Sequence, residues 1–142
     1  MTHLLDTNTL TIWQNGTGPD YAVFALRMSA HPATDVSTSI ISYHEQIMGA
    51  HAYLNRPKTS AALVKGYERL DRLREFYTQL TILPFDDPAA IAFDKLRAAN
   101  LRIGTMDLRI AAIAISRNII VVTNNVADFG RVPSLSIEDW TR

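Results

Sequence analysis

The chain has 142 residues, of which 47% are hydrophobic and 20% charged, the balance of a single globular domain over 1–142. Fourteen basic residues balance fourteen acidic ones, so the net charge gives no indication of a nucleic-acid or membrane partner. A local group of arginines would nevertheless suffice to bind phosphates. Without cysteine, disulfides and thiolate metal sites are excluded. We see no signal peptide and no apolar stretch near the roughly 20 residues that span a bilayer, and therefore expect a cytoplasmic protein.

Short extended stretches alternate with helical ones, which predicts an α/β fold around a parallel sheet. The predicted strands are THLLDT (2–7), DVSTSII (35–41), TILPF (81–85), NIIVVTN (118–124) and, at an edge, SLSIEDW (134–140). The predicted helices are 21–30, a long arm from Ser42 that breaks near Asn55–Lys58 and resumes over 60–80, then 87–100 and 107–116.

Four acidic residues fall where these predicted strands end or helices begin. They are Asp6, Glu45, Asp107 and Asp128. In right-handed crossovers the carboxyl ends of parallel strands and the starts of the following helices share one edge of the sheet. We therefore expect the four side chains to face the crevice where open α/β sheets bind ligands.

Each acid also has an ordinary structural explanation. The candidates are helix capping by Asp6 or Asn8, a capping box formed by Ser42 with Glu45, a first-turn role for Asp107 and a turn role for Asp128. Capping does not, however, require separate acids to meet. Carboxylates that do meet repel one another unless a cation is present, and an oxygen-only ligand set suits Mg²⁺ or Mn²⁺.

The motifs around these acids resemble those of the PIN-domain ribonucleases, in particular the VapC-type toxins of toxin–antitoxin pairs. The similar segments, in the family's order, are LLDTN, SYHEQIMGA, IGTMDLRIAAIA, VVTNNVADFGRV and LSIEDW. The resemblance implies a three-layer α/β/α sandwich with a mainly parallel sheet of about five strands and an extended helical hairpin. It also implies a Mg²⁺- or Mn²⁺-dependent endoribonuclease, a homodimer, and a VapB-type antitoxin as partner.

By this resemblance, Asp6, Glu45 and Asp107 match the acidic triad and Asp128 the more variable fourth acid. The polar residues expected to support the site are Thr7, Asn8, Thr123, Asn124 and Asn125. We expect hydrolysis of RNA by a metal-activated water, with Asp6 and Asp107 as principal ligands. The chain looks shorter than many relatives between AFDKLRAANL and RIGTMD, a difference that bears on substrate selection.

Other polar and aromatic residues receive structural interpretations first. Asp86 and Asp87 are expected to cap a helix, while Asp94, Glu138, Asp139 and the four histidines (3, 31, 44 and 51) are given no catalytic role. Arg69, Arg72 and Arg74 are expected to form a solvated face with Glu68, Asp71 and Glu75, the alternative being phosphate contact. Arg109 is a candidate for contact with RNA or the antitoxin. In the resembled family an apolar groove receives an antitoxin helix, and the candidate linings here are Ile12, Trp13, Tyr53 and Leu54.

Three other functions are alternatives, and the acids of this chain count against the first and the third. A non-catalytic PIN-like interaction module would be expected to lack one or more of the acids. A nuclease acting on DNA is chemically close, because carboxylates interact with the phosphate and not the sugar. A phosphoacceptor receiver domain would have an adjacent acidic pair after the first strand, where this chain has Asp6 alone.

Overall fold

The fold is taken from a computed structural model, which describes residues 1–56 and 59–142. Its strands are β1 (His3–Leu5), β2 (Val36–Ser39), β3 (Thr81–Leu83), β4 (Ile120–Val122) and β5 (Ile137–Glu138). Its helices are α1 (Thr7–Asn15), α2 (Pro19–Ser29), α3 (Ile40–Leu54), α4 (Ser60–Thr78), α5 (Asp87–Ala98), α6 (Thr105–Arg117) and α7 (Val126–Phe129). The predicted break at Asn55–Lys58 lies partly outside the described residues.

The five strands form one sheet in the order β3-β2-β1-β4-β5, and all four neighbouring pairs are parallel. β1 is central, with Leu5 opposite Val122 of β4. The carboxyl ends of β1, β2 and β4 therefore lie side by side, and the segments that follow them start from a common edge.

Alternation along β1 divides the core into two layers, because successive side chains of a strand point to opposite faces. Leu4 packs in a buried cluster with α5 and α6, whereas Leu5 packs with residues of α1 and α2 such as Leu10 and Phe24. Both leucines are fully buried. The result is the expected three-layer arrangement, with helices on both faces of a parallel sheet.

α3 and α4 form the expected helical hairpin, and Gly66 marks where they come closest. A Cβ atom at Gly66 would lie 2.5 Å from Leu54 Cδ2 and 3.1 Å from Tyr53 Cε1. The absence of a side chain at this position therefore permits the close packing of the two helices.

Three local features differ from the sequence-based expectations. α3 begins at Ile40 and not at Ser42, because Ser39 is its N-cap and accepts a hydrogen bond from the Ser42 N–H over 3.1 Å. The proposed capping box of Ser42 with Glu45 is therefore wrong, and Glu45 lies in the second turn. α1 and α7 are also not among the helices predicted from the sequence, although Asp6 is one of the candidate helix caps.

Across 1–56 and 59–142, no helix has both the length and the apolar character that crossing a membrane requires.

Candidate active site

Asp6 both caps a helix and faces the common edge of the sheet. Its Oδ1 accepts a hydrogen bond from the Thr9 N–H over 2.9 Å, and its own N–H donates to the carbonyl of Val122 over 3.1 Å. These two bonds fix Asp6 between β4 and the start of α1. The residue is only 3% exposed, so the capping explanation is correct but leaves a buried carboxylate to be accounted for.

Burial raises the pKa of Asp6, because an ionised carboxylate loses hydration in such a site. Polar contacts from Thr123 and Thr9 lower that pKa, and the charge of Glu45 raises it further. A second acid on a different helix therefore lies near enough to Asp6 to disfavour its ionisation.

Glu45 is held toward Asp6 by the first residue of α1. The hydroxyl of Thr7 lies 2.7 Å from Glu45 Oε1 and 3.0 Å from the Ser42 hydroxyl oxygen, within donating distance of either. Ser42 itself is fully buried. Thr7, one of the predicted supporting residues, therefore links the segment after β1 to α3.

Asp107 lies half-buried in the first turn of α6, as predicted. Burial, followed by the charges of Asp6, Glu45 and Asp128, raises its pKa to about 6. All three of those acids belong to separate segments of the chain. The pKa of Asp107 therefore reflects the repulsion among all four acids of the predicted site.

Asp128 differs from the other acids because its charge is already partnered. Its Oδ2 accepts from Asn125 Nδ2 over 2.9 Å, and its Oδ1 accepts from Arg131 over 2.8 Å. Arg131 also donates to the carbonyl of Arg102 over 2.6 Å. Arg131 is not among the residues predicted from the sequence, although its position three residues after Asp128 is the spacing of a helical ion pair.

The other predicted supporting residues lie beside the acids. Asn8 Nδ2 is 3.4 Å from Asn124 Oδ1, which joins the segment after β1 to the segment after β4. Thr123 is fully buried, and its hydroxyl accepts the Asn125 N–H over 2.9 Å. These bonds organise the loop that carries Asp128.

The four acids therefore share one electrostatic environment, but they do not form a closed ligand cage. In the part of the chain that the structure describes, no three histidine, aspartate or glutamate side chains are gathered as a metal site requires. Uncompensated carboxylates repel one another, which is physically consistent with their separation. Convergence on a metal ion stays a prediction.

Three further residues considered in the sequence analysis contact other side chains of the protein. Arg109 contacts Met106 Sδ at 3.5 Å and lies 5.8 Å from the centroid of the Phe93 ring. Asp86 caps α5, as expected, and also pairs with Arg117 at 3.2 Å. Arg74 pairs with Asp71 at 2.8 Å, so the solvated-face interpretation is confirmed for this arginine.

Two histidines form a cluster that is not predicted from the sequence. His3 and His31 contact each other at 4.6 Å between ring centroids, and His31 stacks on Trp140 at 4.8 Å. The Trp140 indole donates to Glu138 over 2.7 Å, and this bond, with the nearby histidines, lowers the pKa of Glu138. These contacts connect His3 of β1 with Glu138 of β5 and with Trp140, which follows β5.

The predicted groove-lining residues pack against neighbouring helices or the core. Trp13 lies 5.1 Å from Phe76 and 5.9 Å from Phe24 between ring centroids, and Ile12 packs against the same cluster. Tyr53 and Leu54 pack beside Gly66. The groove beside α1 has a different lining: Thr11, Gln14, Asn15, Glu45, Gln46, Gly49, Arg69, Arg72, Leu73 and Phe76.

Comparison with known protein families matches residues 3–135 to the PIN domain. This chain belongs to the PIN domain family. The match spans the whole sheet except β5, together with all four acids. It confirms both the family resemblance and the expected architecture.

The relatives of this PIN domain include named ribonucleases. A tRNA(fMet)-specific endonuclease VapC from Salmonella typhimurium is 34% identical over 141 residues, covering 96% of each chain. Ribonuclease VapC2 from Rickettsia felis is 29% identical over 146 residues and covers both chains completely.

Solved structures show the same architecture. The DNA-bound VapBC complex of Salmonella typhimurium contains a chain with a TM-score of 0.75 and 31% identity, covering 99% of this chain and 98% of that one. VapBC-1 from nontypeable Haemophilus influenzae contains a chain with a TM-score of 0.77 and 25% identity over the full length of both. The relatives are thus VapC ribonucleases, found in complexes of the toxin–antitoxin type.

Proposed function

We propose that this PIN domain is a Mg²⁺- or Mn²⁺-dependent endoribonuclease and the toxin of a toxin–antitoxin pair. The observation that carries the proposal is the raised pKa of Asp107, to which Asp6, Glu45 and Asp128 all contribute. A stable fold gains nothing from four carboxylates that disfavour one another. A hard divalent cation would convert that repulsion into binding.

The residues present fit such an ion. Asp6, Asp107, Glu45 and Asp128 supply only oxygen ligands, which suit Mg²⁺ and Mn²⁺. Asp6 and Asp107 would be the principal ligands, with Glu45 direct or through water, and Asp128 completing the site or holding a second ion. When bound, the ion would acidify a water molecule and offset negative charge on the scissile phosphate.

The chain's own contribution is to orient these carboxylates before substrate arrives. The Thr9 N–H fixes Asp6, the Thr7 hydroxyl fixes Glu45, and Asn125 fixes Asp128. Fixed ligands lower the cost of reorganisation when the reaction begins.

Cleavage of RNA tests this function. The Salmonella relative is named for tRNA(fMet), so an initiator tRNA transcript is the first substrate, with total bacterial RNA beside it. We expect cleavage with Mg²⁺ or Mn²⁺, its loss with EDTA, and its loss in Asp6→Asn or Asp107→Asn. Folded variants that cleave as fast as the parent would contradict the assigned roles. Single-stranded DNA of the same sequence, included in parallel, tests the alternative of a DNA nuclease.

We further propose a VapB-type antitoxin as the partner, since solved relatives are VapBC complexes. We also propose the cytoplasm as the place of action.

We propose, in addition, that the protein forms a homodimer. An apolar cavity of about 560 Å³ supports self-association; it is lined by residues that include Ile91, Leu96, Ile115 and Pro133, and Ile91 is 60% exposed. Light scattering of the parent and Ile91→Asp tests this surface, and we expect the variant to be monomeric.

A further inference from the structure

The groove beside α1 carries two positive charges that the proposed chemistry does not use. Arg69 and Arg72 lie on the exposed face of α4 and line this groove of about 590 Å³. Within the described residues, neither guanidinium lies within ion-pair distance of a carboxylate. Their neighbour on the same helix, Arg74, is engaged with Asp71 and Glu75.

Two side-chain amides that line the groove already have hydrogen-bond partners within the protein. The amides of Gln14 and Gln46 hydrogen-bond to each other over 2.9 Å in both directions, and the Tyr77 hydroxyl donates to Gln46 over 2.6 Å. Amides engaged in this way offer little to a base edge. The two guanidinium groups are the positively charged donors in the groove lining, and they favour a polyanion.

The groove is continuous with the acidic site through a shared residue. Glu45 lines the groove, and its Oε1 lies 2.7 Å from the hydroxyl of Thr7, the residue that directly follows Asp6. A linear polyanion that enters the groove beside Arg69 and Arg72 therefore has a direct path to the four acids.

We propose that Arg69 and Arg72 grip the phosphate backbone of the substrate RNA and lead it along this groove to the acidic site. The inference rests on the proposed function, because it assigns a substrate path to the same site. Arg69 lies 5.9 Å from the centroid of the Tyr53 ring on α3, within the range of a cation–π contact. Contacts of this kind position RNA without reading its sequence.

Binding to a mixed-sequence single-stranded RNA 12-mer tests the arginines. The measurement is made in the Asp107→Asn background with Mg²⁺, so that the RNA is not consumed. Arg69→Gln with Arg72→Gln should weaken binding roughly tenfold. It should also reduce the slope of log K against log salt by about 1.4, since each single-strand phosphate contact contributes about 0.7. Arg74→Gln, from the same helix, is the matched control and should change neither quantity.

Gly49 provides an independent test that leaves both charges intact. It lines the groove in the interior of α3, and a Cβ there meets nothing within 4 Å. Gly49→Trp would place a bulky side chain in the path, while replacing a poor helix former. We expect weaker RNA binding, at least fivefold, with no loss of thermal stability. Gly49→Ala should leave binding unchanged.

The outcomes separate this inference from the proposed function. Unchanged RNA affinity in both the double arginine variant and Gly49→Trp would overturn the proposed substrate path along the groove. This conclusion would hold even if the parent cleaves RNA, or if a protein segment occupies the groove. Absence of RNA binding in the Asp107→Asn background would also overturn it. Failure of the parent to cleave RNA with any divalent ion, with arginine-dependent binding intact, would contradict the catalytic proposal alone.

Discussion

The Thr7 hydroxyl lies 2.7 Å from Glu45 Oε1 and joins the residue after Asp6 to the second turn of α3. This contact spans two elements that carry acids of the candidate site. Thr7→Val keeps the shape of the side chain but removes the donor, so Glu45 loses a fixed orientation. We expect cleavage to fall by about 10- to 100-fold, the range found for ligand-orienting contacts.

Thr7→Ser restores the hydroxyl and is the matched control for this prediction. It should recover most of the activity, as measured by initial rates of RNA cleavage at matched Mg²⁺. Equal rates in Thr7→Val and the parent would show that Glu45 needs no such support.

Asp107 is expected to destabilise the metal-free protein at neutral pH. Its pKa of about 6 exceeds the ordinary 3.8, so the folded state holds this proton more tightly than the unfolded state. The contribution of Asp107 to stability is therefore lost as pH rises from about 4 to about 6 and stays lost above that range. In EDTA, Asp107→Asn should have a higher Tm than the parent at pH 7.5, and a smaller advantage at pH 5.0.

Mg²⁺ or Mn²⁺ supplies the complementary result in the same thermal-unfolding experiment. Either ion should raise the Tm of the parent and have much less effect on Asp107→Asn. A parent that melts at the same temperature as Asp107→Asn in EDTA at pH 7.5 would refute the repulsion on which the site assignment depends.

Asp128 should contribute less to activity than Asp107. Its carboxylate is already bound by Asn125 and Arg131, so part of its charge is neutralised by the protein. We expect Asp128→Asn to retain about a tenth of the parent activity, and Asp107→Asn to retain less than about a thousandth. Parallel rate measurements check the ranking, and the reverse order would mean that the two residues exchange roles.

The two glycines inside the helical hairpin should respond oppositely to the same substitution. Gly49→Ala places a methyl group in open space and should stabilise the protein by about 1 kcal/mol, the helix-propensity difference. Gly66→Ala should gain nothing or destabilise it, because Leu54 and Tyr53 must move to accommodate the Cβ. Urea unfolding measures both, and equal stabilisation would show that the close approach of α3 and α4 is not restrictive.

The parts of the fold that the sequence predicted best are those in which one strong pattern is uninterrupted. The apolar stretch ending at Val122 and the packing of Leu4 and Leu5 in opposite layers follow directly from strand geometry. α6 was predicted because its long apolar segment permits burial on most sides. The family motifs supplied the three-layer architecture, which residue patterns alone did not determine.

The boundaries that were wrong lie where two local preferences compete. Ile40 and Ile41 favour a strand by composition, but the Ser39 cap starts α3 one residue after β2 ends. α1 was missed because Thr7, Asn8, Thr9 and Thr11 are weak helix formers, and Asp6 starts the helix from outside it. In both cases a side chain before the helix decides where it begins.

The candidate site was predictable as a set of acids but not as a set of contacts. Parallel-sheet geometry indicates which residues share the edge, and the structure places Asp6, Glu45, Asp107 and Asp128 in one electrostatic environment. The Thr7 contact with Glu45 and the pairing of Arg131 with Asp128 depend on side-chain conformations that no spacing rule determines.

Direct measurement of Mn²⁺ binding tests the central claim, that these acids together hold a divalent cation. We predict that calorimetric titration of the parent at pH 7.5 shows saturable binding that Mg²⁺ competes away and that Asp6→Asn and Asp107→Asn each abolish. An isotherm that both substitutions leave unchanged, in proteins that remain folded, would contradict the account.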